Sequence, residues 1–320
     1  MLISVILLSF KKKYHLKPVT IPPYLKKGDT IGIVCPAGFM PAKKLSAAIR
    51  VIENIWGYKV KLGATVGHQY HYFSGTDEER LHDLQMMMDD PDVKAILCGR
   101  GGYGTGRIID KLDFSKFRKR PKWIIGFSDI TILHAHLFSR YCIASLHAPM
   151  GNAFNDNGYK NEYVGSLHAA LKGKKAKYQA SCHPFNHPGK GSGVLVGGNL
   201  ALVSHLIGTN SDYDTKGKIL FLEDVGEYLY NIDRMLYQLK RSGKLDHLVG
   251  LVLGRFSDTK DTEIPFGKTV DEIIHDLVKE CRFPICYDFP VSHDTENYAL
   301  KTGVVYELAV TNRKVSLREK

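Results

Sequence analysis

Four apolar runs of strand length, at 30–35, 58–62, 93–98 and 123–127, are each followed by a loop or a segment of helical spacing. The first run breaks at Pro36-Ala37-Gly38, and a helix is predicted over 42–56 with Leu45, Ile49, Ile52 and Ile55 on one side. A second helix opens at Ser74 or Thr76, carries Asp77, Glu78 and Glu79 in its first turn, and ends near Asp90-Pro91. Further helices are predicted over 105–112 and 130–138. Strands that alternate with helices fold into a parallel sheet with helices on both faces.

The pattern changes after Met150. Residues 152–160 are polar and turn-rich, and 172–190 hold lysines, histidines and prolines with little periodicity. Strands are then predicted at 192–197, 218–223, 248–254, 285–289, 299–308 and 314–317, with helices at 200–207, 228–242 and 270–281. The expected fold class is α/β. An N-terminal parallel-sheet α/β domain with a nucleophile-elbow turn occupies 21–155, and 156–190 is a linker. A smaller, strand-rich, mixed α/β C-terminal domain occupies 191–320. Residues 1–20 form an N-terminal extension. Its apolar run at 2–10 is too short to span a membrane and lacks the charge order of a secretory signal, so a cytoplasmic protein is expected.

Lysine and arginine total 44 against 33 acids, a net charge of +11, but the excess is scattered and never interleaved with stacking aromatics. That favours solubility and weak anion attraction over nucleic-acid binding. The six cysteines make no disulfide framework; Cys35 and Cys98 lie in strand-like runs and are expected in the core. Cys182, His183 and His187 have no second paired cluster, so no metal site is expected.

Three stretches could carry chemistry. At Ile124-Ile125-Gly126-Phe127-Ser128-Asp129 an apolar strand turns abruptly into a helix, which lifts Ser128 out of the sheet and aims the next amides at any nearby oxyanion. Two readings stand: Ser128 is a helix N-cap, or it is a nucleophile. Gly99-Arg100-Gly101-Gly102-Tyr103-Gly104 follows a strand and satisfies G-x-G-x-x-G, with Asp129 where a ribose-binding acid could stand. It could hold a dinucleotide, or its amides could form an oxyanion hole. In a parallel sheet both turns lie at one carboxyl edge, where such folds bind ligands. A serine nucleophile also needs a base and an orienting acid. Glu223 ends an apolar strand. Of the histidines, His134 and His136 sit on the helix after Ser128, His147 and His205 lie in apolar surroundings, and His293 follows a strand in a polar turn. Arg100, Arg107 and Arg255 are candidates for a substrate carboxylate.

Taken in order, residues 99–104, 126–131, 197–202 and 220–227, and His293 with Asn297 and Leu300, resemble the motifs of the LD-carboxypeptidases. This family of serine peptidases also includes the microcin-C immunity peptidases. The resemblance spans roughly 21–308. It implies a Ser128–Glu223–His293 triad, with Ser128 the nucleophile and His293 the base oriented by Glu223. The implied oxyanion hole is the backbone of Asp129 with Gly101 or Gly102, and Arg100, Tyr103 and Asn199 are carried as substrate-binding residues. It further implies release of D-alanine from muropeptide tetrapeptides in cytoplasmic peptidoglycan recycling, with no cofactor, by a homodimer. The alternatives are a microcin-immunity-type peptidase acting on peptidyl nucleotides and a nucleotide-binding protein using 99–104. One departure stands out: the family commonly has Gly before the catalytic His, and here Ser292 occupies that place.

Overall fold

Strands β1 (Thr30–Val34), β2 (Lys59–Leu62), β3 (Val93–Cys98), β4 (Trp123–Gly126) and β5 (Ser145–His147) are all parallel and lie in the order β5-β4-β3-β1-β2. This is the doubly wound order in which loops after β1 and β3 diverge and leave a crevice at the carboxyl edge. The computed structural model describes residues 18–320; the apolar run at 2–10 lies outside the described residues.

The remaining strands are β6 (Lys177–Ala180), β7 (Gly189–Asn199), β8 (Lys218–Val225), β9 (Gly250–Ser257), β10 (Ile285–Cys286), β11 (Leu300–Thr302), β12 (Val305–Val310) and β13 (Val315–Glu319). All but β11 form a second sheet, ordered β10-β9-β8-β7-β12-β13-β6. Its β10-β9-β8-β7 half is parallel and its other half antiparallel. Strand β11 leaves this sheet and pairs antiparallel with β5 at the edge of the first.

The helices are α1 (Ser46–Arg50), α2 (Asp77–Asp89), α3 (Thr131–Tyr141), α4 (Glu162–Leu171), α5 (Leu200–His205), α6 (Leu229–Arg241) and α7 (Val270–Val278). Thr76 caps α2 through a reciprocal box with Glu79. Helix α3 is buried without a break from Thr131 to Leu137, because it packs on β5 of one sheet and on β7 and α5 of the other. A helix apolar on one stripe only could not serve two sheets at once. Its Ile132, Leu133 and Leu137 share one core with Val196, Leu200 and Val203.

Three expectations need correction. The helix over 42–56 winds as a 3-10 turn (Ala42–Leu45), then α1, then a π turn (Val51–Ile55); the wider last turn carries Ile55 off the buried face, to 59% exposure. The helix over 105–112 is two 3-10 turns, Thr105–Arg107 and Ile109–Lys111, because the Thr105 amide is held by the Asp129 carboxylate. The expected linker, 156–190, contains α4 and β6. His205, expected as a core or helix residue, is the exposed last residue of α5.

Candidate active site

Strand β4 ends at Gly126, where a Cβ would lie 2.9 Å from Ile130 Cγ1, so the chain can double back only over a bare Cα. Ser128 follows with φ of +60°, a left-handed conformation that serine rarely adopts. It begins a 3-10 turn (Ser128–Ile130) that leads into α3. Neither this turn nor α3 has a side-chain N-cap, and among the described residues the Ser128 hydroxyl makes no hydrogen bond. The capping reading therefore fails: the backbone is strained and the hydroxyl is held free.

The turn is braced from below. His134 Nε2 donates to Gly126 O at 2.8 Å, which leaves its Nδ1 to accept from Ser145 Oγ at 2.8 Å. Burial lowers the His134 pKa to about 4, so the ring is a neutral strut rather than a base. His136 is likewise bonded to Ser211 Oγ.

The glycine loop after β3 runs alongside. A Cβ on Gly101 would stand 2.9 Å from Ser128 Cβ, 3.2 Å from Ser128 Oγ and 3.3 Å from the Asp129 amide. Gly101 O accepts from Gly38 N at 3.0 Å, so the Gly102 N–H, on the opposite side of the same trans peptide, points away from Gly38. Among the described residues the amides of Gly101, Gly102 and Asp129 donate to no other group. The Asp129 side chain is not free for a ribose: it is 1% exposed and accepts from Thr105 N at 2.8 Å. With only two short 3-10 turns behind the loop, the dinucleotide reading loses both the helix N-terminus for the pyrophosphate and the acid for the sugar.

The second sheet supplies the other partners. Glu223, on β8, is fully buried, and His293 Nδ1 donates to its Oε2 at 2.6 Å. His293 Nε2 is buried and has no partner among the described residues, and its ring meets Phe127, the residue before Ser128, edge-on at 4.9 Å. Burial alone would lower the His293 pKa; the hydrogen bond and charge of Glu223, with Asp224 and Asp294, outweigh it and raise the pKa above its ordinary value. Ser292 does not disturb this turn. It is fully buried, accepts from Asp294 N and donates to Glu296 O, both at 3.0 Å, and so staples the loop on either side of His293.

A cavity of about 590 Å³ opens beside His293, lined by Phe127, His293 and Asn297, by Met40, Lys44 and Arg100, and by residues of the 149–161 segment; Ser128 itself is not in its lining. Arg100 donates to Phe39 O at 2.7 Å and has no acid partner among the described residues. Arg107 is paired with Asp77, and Arg255 with Asp288 and Glu296, so neither is free for a substrate carboxylate. Tyr103 is 55% exposed beside Phe73 and outside the cavity lining. Asn199 is buried and committed: its Oδ1 caps α5, its Nδ2 donates to Asp224 at 2.7 Å, and its amide donates to Thr131 Oγ1 on α3. It joins the two sheets instead of facing a ligand. The 149–161 wall carries no motif, and Met40, Lys44 and that wall were not legible as cavity residues. Burial pushes the Cys35 thiol up to about 12, in keeping with a core residue.

Residues 31–148 match the LD-carboxypeptidase N-terminal domain, and 192–308 match the LD-carboxypeptidase C-terminal domain. The chain is 37% identical over 287 residues to a probable murein peptide carboxypeptidase of Bacillus subtilis, covering 88% of this chain and 89% of that one. It is 30% identical over 283 residues to a murein tetrapeptide carboxypeptidase of Pseudomonas aeruginosa, covering 85% and 91%. The fold superposes on the crystal structure of muramoyltetrapeptide carboxypeptidase from Oxalobacter formigenes with a TM-score of 0.83 at 30% identity, over 91% of this chain and 98% of that one. The microcin C7 self immunity protein MccF shares the fold, with a TM-score of 0.79 at 22% identity over 93% and 98% of the two chains. The chain belongs to the LD-carboxypeptidase family of serine peptidases.

Proposed function

We propose that the chain releases the terminal D-alanine from murein tetrapeptides through an acyl-enzyme on Ser128. The observation that supports this is the buried Glu223–His293 bond, which leaves His293 Nε2 unpartnered among the described residues, on a ring that meets Phe127, the residue before the strained Ser128. Ser128 Oγ attacks the scissile carbonyl as His293 Nε2 takes its proton. The oxyanion is received by the Asp129 amide and by one amide of Gly101 or Gly102. His293 then passes the proton to the leaving amine, D-alanine departs, and water repeats the sequence on the ester. Glu223 holds the imidazole in the tautomer that presents Nε2 and stabilises the imidazolium. Arg100 suits the carboxylate of the departing residue, because a guanidinium fork matches a carboxylate and this one has no acid neighbour. No step requires a cofactor.

A cytoplasmic recycling role and a homodimeric assembly belong to the same reading and rest on the family resemblance. No helix among the described residues is long and apolar enough to cross a membrane. Ser128→Ala should abolish D-alanine release from muramoyl tetrapeptide, followed by mass spectrometry, while leaving the fold intact. Retained release would overturn the nucleophile, and preference for a peptidyl nucleotide over the tetrapeptide would overturn the substrate.

A further inference from the structure

Asn297 is 2% exposed, lines the cavity beside His293, and has neither amide atom paired among the described residues. Leaving a buried primary amide unpaired costs about 1–3 kcal/mol per group, so native folds pair such a group with protein, ordered water or a bound ligand, and one that lines a cavity is open to the last. The backbone around it is fixed. Glu296 O accepts from Ser292 Oγ at 3.0 Å, Tyr298 N donates to Pro290 O at 2.9 Å, and Ala299 N donates to Ser166 Oγ at 2.9 Å. Strand β11 follows directly. The amide is therefore positioned before any ligand arrives, which is how a binding group is built.

Its surroundings select the ligand. Against Asn297 lies His147, fully buried; burial lowers its pKa well below the ordinary value and holds the ring neutral, while the facing Asn297 amide works weakly the other way. The approach of the two side chains falls short of a full hydrogen bond on either ring nitrogen among the described residues. A carboxylate would find its cation at Arg100, and an ammonium would favour the acids Asp156 and Asp294 at other points of the lining. A neutral amide beside a neutral imidazole suits a neutral partner with one donor and one acceptor. A peptide group has both, and the Asn side chain matches it with Nδ2–H and Oδ1.

We infer that Asn297 binds the substrate's peptide group next to the scissile bond, donating from Nδ2 to its carbonyl and accepting its N–H at Oδ1. The inference rests on the peptidase reading and deepens it. Asn297 is a binding residue that sets KM and takes no part in proton transfer.

The test compares wild type, Asn297→Leu and Asn297→Asp on the tetrapeptide and on an analogue with an ester oxygen in place of that peptide N–H. Asn297→Leu should raise KM at least 10-fold and change kcat less than about 3-fold, with the melting temperature unchanged or higher, since an unpaired buried amide has been replaced by an apolar group of similar size. Fluorophosphonate labelling of Ser128 should stay at the wild-type rate. Wild type should lose about 10-fold in kcat/KM on the ester, and Asn297→Leu should no longer distinguish ester from amide. Unchanged KM, persistent ester discrimination in Asn297→Leu, or slowed labelling would overturn the inference. So would failure of both variants to fold, which would assign Asn297 to the scaffold. Failure of the peptidase reading is separate: wild type itself would release no D-alanine.

Discussion

His293 Nδ1 and Glu223 Oε2 lie 2.6 Å apart, and the carboxylate that accepts this bond is fully buried. His293 must be neutral to act as base, so activity falls as pH drops through its pKa. Burial lowers that pKa, but Glu223, Asp224 and Asp294 together raise it above the ordinary value of about 6.5. The acid limb of kcat/KM should therefore lie above about 6.5. Glu223→Gln removes the charge and can stabilise the wrong tautomer; it should cut kcat by about 10²–10⁴-fold and move the acid limb to lower pH. A pH–rate profile unchanged by Glu223→Gln would show that the pair does not set the base.

The conformation of Ser128 separates two inactive variants. Its φ of +60° costs alanine as much as serine but suits glycine. Ser128→Gly should unfold in urea about 1 kcal/mol less readily than Ser128→Ala, although both should release no D-alanine. Equal stability of the two would mean that the turn relaxes without the hydroxyl.

Gly101 leaves no room for a methyl group. A Cβ there would press on Ser128 Cβ at 2.9 Å and approach the Asp129 amide to 3.3 Å, the region the oxyanion should occupy. Gly101→Ala should lower kcat by about 10²-fold or more and slow fluorophosphonate labelling, at an overpacking cost of about 1–3 kcal/mol in stability. Normal kcat in Gly101→Ala would place the oxyanion elsewhere.

Ser292 gives the clearest test of where this chain departs from its relatives. Its hydroxyl holds Asp294 N and Glu296 O at 3.0 Å each. Ser292→Gly restores the residue common in the family but removes both bonds and frees the backbone. We expect a loss of about 1–2 kcal/mol in stability and a fall of about 3- to 10-fold in kcat with KM little changed. A Ser292→Gly enzyme as active and stable as its parent would show that the serine is a neutral replacement.

The alternation of apolar runs and helical spacing made β1 to β4 and their parallel sheet legible, though not their order, because each element declares its own period. Ser128 and Glu223 were legible for a related reason: each ends an apolar run with a polar residue at one sheet edge. What stayed hidden was pairing that no local pattern encodes. Strands β5 and β11 have three residues each, too short to show a period, and recognise each other only across the fold. Helix α4 was masked by the polar stretches on either side of it. The roles of Asn199 and Asn297 are decided by what surrounds each amide, one fully bonded and one left open, and two asparagines look alike in a sequence.

The pairing of β11 with β5 also bears on the order of events during synthesis. Ser145 Oγ meets Thr302 Oγ1 at 2.7 Å across a separation of 157 residues. Until translation has passed residue 302, β5 presents an unpaired edge, and the turn carrying His293 has no strand to anchor it on its C-terminal side. The growing chain can therefore form the serine turn early, yet it holds no finished catalytic site. Contacts this distant in sequence fold slowly, and an exposed strand edge invites association in the interval. The late-arriving strand serves as both latch and timer: the edge of β5 is closed only after residues 300–302 have been made.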